Sequence, residues 1–319
     1  MGEQLPKIVV TGGAGFIGSH IAEALAKDYQ VIIFDNLDGY YSPELKKENL
    51  TQLQEGGDVT FVNGDITDLG QVRRVITSDV KFVFHEAAQP GVRVSVDDPF
   101  KPNNVNISGT LNVLKASLDA GVERVINASS SSIYGKVQYL PFDEKHPAQP
   151  VSAYGVSKLA AEHYCRIFYE VHGLPTVSLR YFTVYGPRMR PDLAISIFTR
   201  RMLKNEPITI FGDGSKTRDF TYIDDIVTAN TSLLRTDRVD GKALNVGGGS
   251  RITIADLAAK LKEKTGSNSN VIYAQSQKGD AEHTLADTKL AKELIGYVPT
   301  TSIDQGLDRY IGWARNRLK

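Results

Sequence analysis

Lys7-Ile-Val-Val-Thr-Gly-Gly-Ala-Gly-Phe-Ile-Gly-Ser-His20 decides the fold. An apolar, strand-like run passes directly into glycines, and these pass into the helical spacing of Ile17, Ile21, Ala22 and Leu25. Gly12, Gly15 and Gly18, spaced G-x-x-G-x-x-G, let the backbone turn tightly and let a pyrophosphate approach the start of the helix. There the unpaired N–H groups and the helix dipole favour an anion, and Phe16 and Ile17 lie in the same turn. Glycines that merely close a strand-to-helix turn are the bland alternative. It is weakened by Val31-Ile-Ile-Phe-Asp35, a second strand-like run that ends in an acid and is followed by Asn36. A carboxylate about 20 residues beyond the glycines accepts a hydrogen bond from a ribose 2′-hydroxyl and repels a 2′-phosphate. Asp35 therefore makes NAD, not NADP, the expected cofactor.

Outward from this turn, strand-like runs at Ile8–Thr11, Val31–Asp35, Thr60–Asn63, Phe82–His85, Val125–Ala128 and Thr176–Leu179 alternate with helical ones. That alternation reads as right-handed βαβ units building a doubly wound parallel sheet. Beyond Arg180 the rhythm breaks. Gly186-Pro-Arg-Met-Arg-Pro191 and Phe211-Gly-Asp-Gly214 are loop punctuation, flanked by helical runs at Ile195–Lys204 and Ile254–Thr265. The expected class is α/β: a Rossmann-like NAD-binding domain over residues 1–182, then a smaller, mixed α/β substrate lobe over residues 183–319.

Composition agrees with this and excludes other classes. At 319 residues with 41% apolar content the chain can bury a large core. Lysine plus arginine equals aspartate plus glutamate at 37 each, so no global field recruits nucleic acid or a membrane surface. Any anion must be bound locally. The six histidines show no metal-ligand spacing, and no stretch reads as a signal peptide or membrane span. The one cysteine, Cys165, reads as a buried structural thiol. A cytoplasmic protein without metal is the expectation.

Two runs carry chemistry. In Ser152-Ala-Tyr-Gly-Val-Ser-Lys-Leu-Ala-Ala-Glu162, Tyr154 and Lys158 stand one helical turn apart, so an ammonium beside the phenol is expected to lower its pKa and make tyrosinate a usable base. The same spacing also occurs on ordinary amphipathic helices, where lysine snorkels over a core tyrosine. In Arg124-Val-Ile-Asn-Ala-Ser-Ser-Ser-Ser-Ile-Tyr-Gly135 a strand ends in hydroxyls. Four serines would ordinarily read as a turn, but the carboxyl end of a parallel strand faces the ligand crevice. A hydroxyl there can hold the substrate oxygen while Tyr154 moves its proton.

Taken in order, five motifs resemble the extended short-chain dehydrogenase/reductases, and within them the nucleotide-sugar epimerases and dehydratases. They are Thr11-Gly-Gly-Ala-Gly-Phe-Ile-Gly18, the Ser-Ser-x-x-x-Tyr-Gly run ending at Gly135, Tyr154-x-x-x-Lys158, Arg180-Tyr-Phe-x-Val-Tyr-Gly-Pro187 and Arg218-Asp-Phe-Thr-Tyr-Ile-Asp-Asp225. The likeness covers essentially the whole chain. It implies Ser130, Tyr154 and Lys158 as the catalytic residues and a segment near 222–246 that rejoins the first domain. It also implies a homodimer paired through helices near Asn104–Ala120 and Ala153–Val171. Further cofactor contacts are expected from Asp65 and Ile66 at the adenine, from Ala87 and Ala88 in His85-Glu-Ala-Ala88 beside the pyrophosphate, and from Asn106 on the nicotinamide side. For Asp65 the alternative is a plain turn residue.

Family dehydratases carry an Asp-Glu pair just after the catalytic hydroxyl, because eliminating water needs a second acid and base. Here those positions are Ser131 and Ser132, and the glutamate of the family's decarboxylases is missing as well. The implied reaction is therefore oxidation at C4, rotation of the keto-sugar and hydride return to its other face: a 4-epimerase acting on a UDP-sugar. Arg218 suits the diphosphate, against the bland reading of a surface ion pair with Asp219 or Asp224, and Phe211 falls in the uracil-side loop. Arg93, Ser130, Ser131, Ser132 and Asp280 are further expected substrate contacts. Thr183 replaces the asparagine usual after Arg-Tyr-Phe, and Gln277 replaces an arginine two residues before Gly279-Asp280.

Specificity rests on two positions. Thr284 stands where glucose-restricted relatives carry a bulky tyrosine, leaving room for a 2-acetamido group, unless it is only a strand residue. Arg190, in Arg188-Met-Arg-Pro-Asp192, matches an Arg-Pro-Asp run of the UDP-glucuronate epimerases and could bind a C6 carboxylate, unless it is only a solvated loop cation. The expectation ranks UDP-N-acetylglucosamine/UDP-N-acetylgalactosamine and UDP-glucose/UDP-galactose first. UDP-glucuronate is the alternative, and a catalytically idle NAD-binding regulatory protein comes last.

Overall fold

Ile8, Val9 and Val10 are all fully buried, a pattern open only to a strand covered on both faces, and β1 (Lys7–Thr11) accordingly lies inside the main sheet. The structure, a computed structural model, describes residues 5–276 and 281–317, so Gln277 and Asp280 lie outside the described residues. After β1 come α1 (Phe16–Leu25), β2 (Gln30–Asp35), α2 (Pro43–Gly56), β3 (Val59–Asn63), α3 (Leu69–Val75) and β4 (Val80–His85). Two short helices, α4 (Val94–Asp97) and α5 (Phe100–Pro102), lead through a π-helical turn at Asn103–Ser108 into α6 (Gly109–Ala120). β5 (Arg124–Ser130), a 3-10 turn at Ser131–Ile133, α7 (Ala153–His172) and β6 (Thr176–Tyr181) complete the alternation.

The second half contains β7 (Thr183–Tyr185), α8 (Ala194–Leu203), β8 (Ile208–Phe211), β9 (Thr217–Tyr222), α9 (Ile223–Ser232) and β10 (Lys242–Val246). It ends in β11 (Arg251–Thr253), α10 (Ile254–Thr265), β12 (Val271–Ala274), α11 (Lys289–Ile295) and α12 (Ile303–Arg317). The seven-stranded sheet runs β10-β6-β5-β4-β1-β2-β3 and all its pairings are parallel. β11-β9-β7 and β12-β8 form two small sheets beside it. Strand order reverses between β1 and β4, which opens a crevice at the carboxyl ends where Thr11, His85 and Ser130 lie. β10 comes back from the second half to pair with β6, Leu244 opposite Leu179, and α9 packs on α1. One apolar cluster runs from Ile8 and Ile21 through Ile226 to Phe198, Leu257 and Leu307. Among the described residues no helix is long and apolar enough to cross a membrane.

Several boundaries differ from the sequence reading. β5 and β6 run on past Ala128 and Leu179 to Ser130 and Tyr181. The polar residues that seemed to end them are buried with partners: the Ser129 hydroxyl donates to Glu162 Oε2 (2.9 Å), and Arg180 Nε donates to the same oxygen (3.1 Å) while its Nη2 reaches Oε1. The helix expected from Asn104 starts as a π turn, and Asp65 and Ile66 lie beyond the end of β3, in a turn.

The Glu162–Arg180 pair is only 10% exposed on either side, and Arg180 Nη1 extends it to the Tyr134 hydroxyl (2.9 Å), which donates to Asn245 Oδ1 of β10 (2.6 Å). Removing one partner of a buried ion pair leaves the other charge stranded, at a cost of roughly 3–5 kcal/mol. Glu162→Ala should therefore lower the urea midpoint by that much stability at an unchanged m-value. A loss below about 1 kcal/mol, the usual worth of an exposed pair, would show that this pair does not hold α7 to the sheet.

Candidate active site

The cofactor side is built by close approach of backbone. Gly12 has φ +68°, and a Cβ on it would stand 2.6 Å from the Ala87 nitrogen, while one on Gly18 would stand 2.4 Å from the Gly12 oxygen. Glycine alone fits at both, so α1 starts directly against the ends of β1 and β4. No side chain caps α1 at Gly15 and no acid lies in its first turn, so the first-turn N–H groups of Phe16, Ile17 and Gly18 keep their capacity for an anion. Asp35 ends β2, is 7% exposed, and accepts from Ala14 N (3.2 Å) and Leu37 N (2.8 Å). Burial pushes its carboxyl up, and Lys46 with these two N–H groups opposes the shift. Each carboxylate oxygen keeps acceptor capacity for a ribose hydroxyl. The donor set thus fits NAD. Asn36 Nδ2 donates to Asp65 Oδ2 (2.9 Å), and Asp65 Oδ1 takes both Thr67 N (2.8 Å) and Thr67 Oγ1 (2.7 Å), so this acid also builds its turn.

Behind the crevice, His85 Nε2 meets Thr110 Oγ1 (3.0 Å), whose own proton goes to Asn106 O (2.6 Å), and Nδ1 meets Thr11 Oγ1 (2.7 Å). That network assigns the proton to Nε2. Burial and Lys158 pull the His85 pKa down to about 3, keeping it neutral. Asn106 is 1% exposed; it accepts from Gln89 N (2.7 Å) and donates to Ser157 Oγ (2.8 Å), tying the loop after β4 to α7.

Tyr154 enters the crevice because the start of α7 is held on three sides. Ser152 caps the helix by accepting from Gly155 N (3.1 Å), Ser95 Oγ accepts from Tyr154 N (3.1 Å), and a Cβ on Gly155 would lie 2.6 Å from Ser132 O. Ser130 lies close enough to the Tyr154 phenol to pull its pKa down, and its hydroxyl accepts from Ser132 N (3.1 Å), so Ser130, Ser131 and Ser132 form one tight turn near the phenol. The expected lowering of the Tyr154 pKa by Lys158 needs correction. Burial pushes this phenol up, and the groups that pull it down are Ser130 and Arg190. The reason is geometric: Lys158 Nζ donates to the Ala128 carbonyl oxygen (2.7 Å). Burial lowers the Lys158 pKa, and Glu86 opposes that shift. Glu86 lines the same crevice, accepts from the Tyr181 hydroxyl (2.9 Å), and is itself pushed up by burial.

On the substrate side, Arg190 comes close enough to Tyr154 to shift it. It is no free loop cation, because Asp192 takes its Nε (2.9 Å) and Nη2 (3.0 Å), and its guanidinium lies 5.5 Å from the centre of the Tyr40 ring. Arg93, at the start of α4, lies over the Phe211 ring at the end of β8 (5.2 Å), so two expected contacts from distant segments meet. Arg218 in β9 donates to Thr217 O (2.9 Å) and Glu282 O (3.2 Å), and Asp224 pairs with Arg309 (3.3 Å). Thr183 is half-buried in β7 opposite Phe220. Thr284 is buried, with its hydroxyl accepting from Asp219 N (3.1 Å). Asp219 in turn latches Gly248 N (2.7 Å), Gly249 N (3.2 Å) and Ala286 N (3.0 Å). Sequence reasoning missed Tyr40, Glu86 and Asp192, the last two of which stand inside motifs it quoted. A separate cavity of about 320 Å³, lined by Glu144, His163, Cys165 and Arg180, lies behind β6, away from Tyr154 and the glycine turn.

A G-x-x-G-x-x-G turn, a carboxylate at the end of β2 and a Ser-Tyr-Lys set now share one crevice. The family model described as "NAD dependent epimerase/dehydratase family" matches residues 8–247. The chain belongs to this family. It is 37% identical over 314 residues to a putative UDP-glucose 4-epimerase of Methanocaldococcus jannaschii, covering 97% of this chain and 98% of that one. Among solved structures, the UDP-glucuronic acid 4-epimerase of Bacillus cereus in complex with UDP-glucuronic acid and NAD superposes with a TM-score of 0.93 at 37% identity, covering 98% of this chain and 99% of that one. The UDP-N-acetylglucosamine 4-epimerase of Methanobrevibacter ruminantium does so with a TM-score of 0.91 at 33% identity, covering 98% and 99%. The chain is accordingly an NAD-dependent isomerase of the nucleotide-sugar 4-epimerase class, with NAD as its cofactor.

Asp35→Ala should relax the selection against NADP, because it removes the carboxylate that repels a 2′-phosphate. Titrating each cofactor against intrinsic fluorescence checks this. Unmodified protein that bound both equally would take Asp35 out of the selection.

Proposed function

We propose that this UDP-sugar 4-epimerase interconverts UDP-glucuronate and UDP-galacturonate. The observation that carries the reading is Arg190, a guanidinium beside the proton-moving Tyr154. When Tyr154 takes the proton of the C4 hydroxyl, the substituent on the neighbouring C5 lies within reach of the same pocket edge. A hexuronate places a carboxylate there and needs a cation; a hydroxymethyl group needs none. The ranking reached from sequence, with N-acetylhexosamine and hexose first, leaned on Thr284. Thr284 lies in no strand, but its buried hydroxyl accepts from Asp219 N, which favours a structural role for that position. The likeness to the Bacillus cereus glucuronate epimerase points the same way.

In this reading Tyr154 removes the C4 hydroxyl proton, with Ser130 donating to the same oxygen and Lys158 keeping a positive charge below it. When bound, NAD would supply the hydride-accepting and hydride-donating chemistry at C4. Arg218 and Arg93 lie on the side of the nucleotide, Phe211 beside Arg93. Ser131 and Ser132 cannot act as the second acid and base of an elimination, so the 4-keto sugar is turned over, reduced on its other face and released. A keto group β to a carboxylate favours loss of carbon dioxide. An ion pair with Arg190 stabilises the carboxylate ground state and opposes that loss. Exposed Val156 and Val171 on α7, with Phe100 just before the π turn, support association of two copies through this helix region.

A panel of UDP-glucuronate, UDP-glucose and UDP-N-acetylglucosamine tests the proposal. The hexuronate should give the highest kcat/KM, and Arg190→Ala should raise KM about 10- to 150-fold for it alone, the equivalent of a lost charge-assisted hydrogen bond of roughly 1.5–3 kcal/mol. Turnover confined to the neutral sugars would refute the hexuronate reading. Tyr154→Phe should lower kcat by a factor on the order of 10²–10⁴ on every accepted sugar without altering the fold or the NAD content. Near-normal turnover in that variant would remove Tyr154 from the mechanism.

A further inference from the structure

The mechanism above uses Arg190 but not the groups that hold it. The Asp192 carboxylate takes Arg190 Nε (2.9 Å) and Nη2 (3.0 Å), and its Oδ2 also takes the Tyr40 hydroxyl (3.0 Å). The Tyr40 ring lies under the guanidinium, 5.5 Å from centroid to Cζ. Tyr40 belongs to the other half of the chain and is fixed there. Its N–H donates to Asp38 Oδ1 (2.9 Å), Asp38 accepts from Lys101 Nζ (2.9 and 3.2 Å), and a Cβ on Gly91 would stand 2.5 Å from the Tyr40 hydroxyl. The strap begins at Leu37, whose φ of +52° is held by its N–H on Asp35 (2.8 Å). A bidentate pair that spends Nε and Nη2 leaves Nη1 outside it.

We infer that Tyr40 and Asp192 are positioning residues that aim Arg190 at the sugar and set how much of its charge reaches Tyr154. The inference deepens the proposed hexuronate reading, and only its selectivity arm rests on that reading. Asp192 partly cancels the guanidinium, so Arg190 is no bare buried cation, and a sugar carboxylate engages Nη1, outside the Asp192 pair. The same cancellation weakens the pull of Arg190 on the phenol. Facing Tyr154 are Ser130 from β5, Glu86 from the end of β4, Arg190 from the loop after β7, Tyr40 from the strap, and Lys158 from its own helix. Facing Arg190 are Asp192, Tyr40, Tyr41 and Tyr154. Of the two acids in this set, Asp192 touches Arg190 and Glu86 is hydrogen-bonded to Tyr181.

The test compares Asp192→Asn and Tyr40→Phe with the unmodified NAD-loaded protein on every UDP-sugar that the latter turns over. Asp192→Asn unmasks Arg190, so the acidic limb of the kcat/KM profile should move about half a pH unit or more toward lower pH on any accepted sugar. The ratio of kcat/KM for UDP-glucuronate over UDP-glucose should rise several-fold. Tyr40→Phe keeps the charge pair but loses the tether; it should leave the acidic limb in place and lower that ratio. Asp192→Ser, with the same expected shift, serves if the asparagine variant does not fold. An acidic limb that stays put or moves to higher pH in the Asp192 variants overturns the inference, as does an equal loss on all sugars in both variants with unchanged pH profiles. If the unmodified protein rejects UDP-glucuronate, the hexuronate reading fails alone, and the limb measured on the accepted sugar still decides the clamp.

Discussion

The ion pair between Glu162 and Arg180 is the constraint on which the active crevice depends. It adds a directional tie among three elements that already pack together: α7, which carries Tyr154 and Lys158; β5, whose Ser129 precedes Ser130; and β6, the neighbour of β5 in the sheet. Through Tyr134 and Asn245 it also reaches β10. The approach of Tyr154 to Ser130 is sensitive to where α7 lies along its own axis, and helix packing alone does not specify that position closely. A bidentate guanidinium–carboxylate pair does, because both partners are planar and desolvated.

Charge in this crevice is arranged in opposed pairs. Lys158 is balanced at a distance by Glu86, Arg190 in contact by Asp192, and His85 is kept neutral by burial. The result is a site in which burial pushes the Tyr154 phenol up while Ser130 and Arg190 pull it back. Lys158 spends its hydrogen bond on the backbone carbonyl of Ala128. Its position one turn below the phenol therefore does not translate into direct contact.

The parts of the fold legible in the sequence were those with a repeating local signal. The apolar runs located β1 to β4 to within a residue or two, and the helical spacing located α10 at its exact bounds, because β1, β2 and β4 are largely buried and α10 keeps one apolar face. β5 and β6 were read short because Ser129 and Arg180 are polar, and only their partner at Glu162, 33 and 18 residues away, shows that burial costs them nothing. The glycine turn, Asp35 and the Tyr-Lys pair were legible since each needs a residue type at a fixed local spacing. The link between Tyr40 and Asp192 was not, since their bond spans 152 residues and nothing local joins the Arg-Pro-Asp run to Tyr40. Glu86 stood in plain view inside His85-Glu-Ala-Ala88, yet its neighbours come from β6 and α7, which no local pattern could bring to it.

The return of β10 to the edge of the large sheet has a consequence for how the chain reaches this state. Until residues 242–246 exist, β6 is an uncovered edge with every N–H and C=O along one side unpaired, and Tyr134 lacks its acceptor 111 residues ahead. The nucleotide-binding half emerging from the ribosome is thus not yet a closed unit. It carries a sticky parallel edge through the synthesis of some sixty further residues, a wait of several seconds at about 5–20 residues per second. Pairing of β10, a slow non-local step, covers β6 and makes β10 the edge strand in its place. The polypeptide therefore gains the acceptor for Tyr134, next to the serine turn, in the same folding event that covers β6.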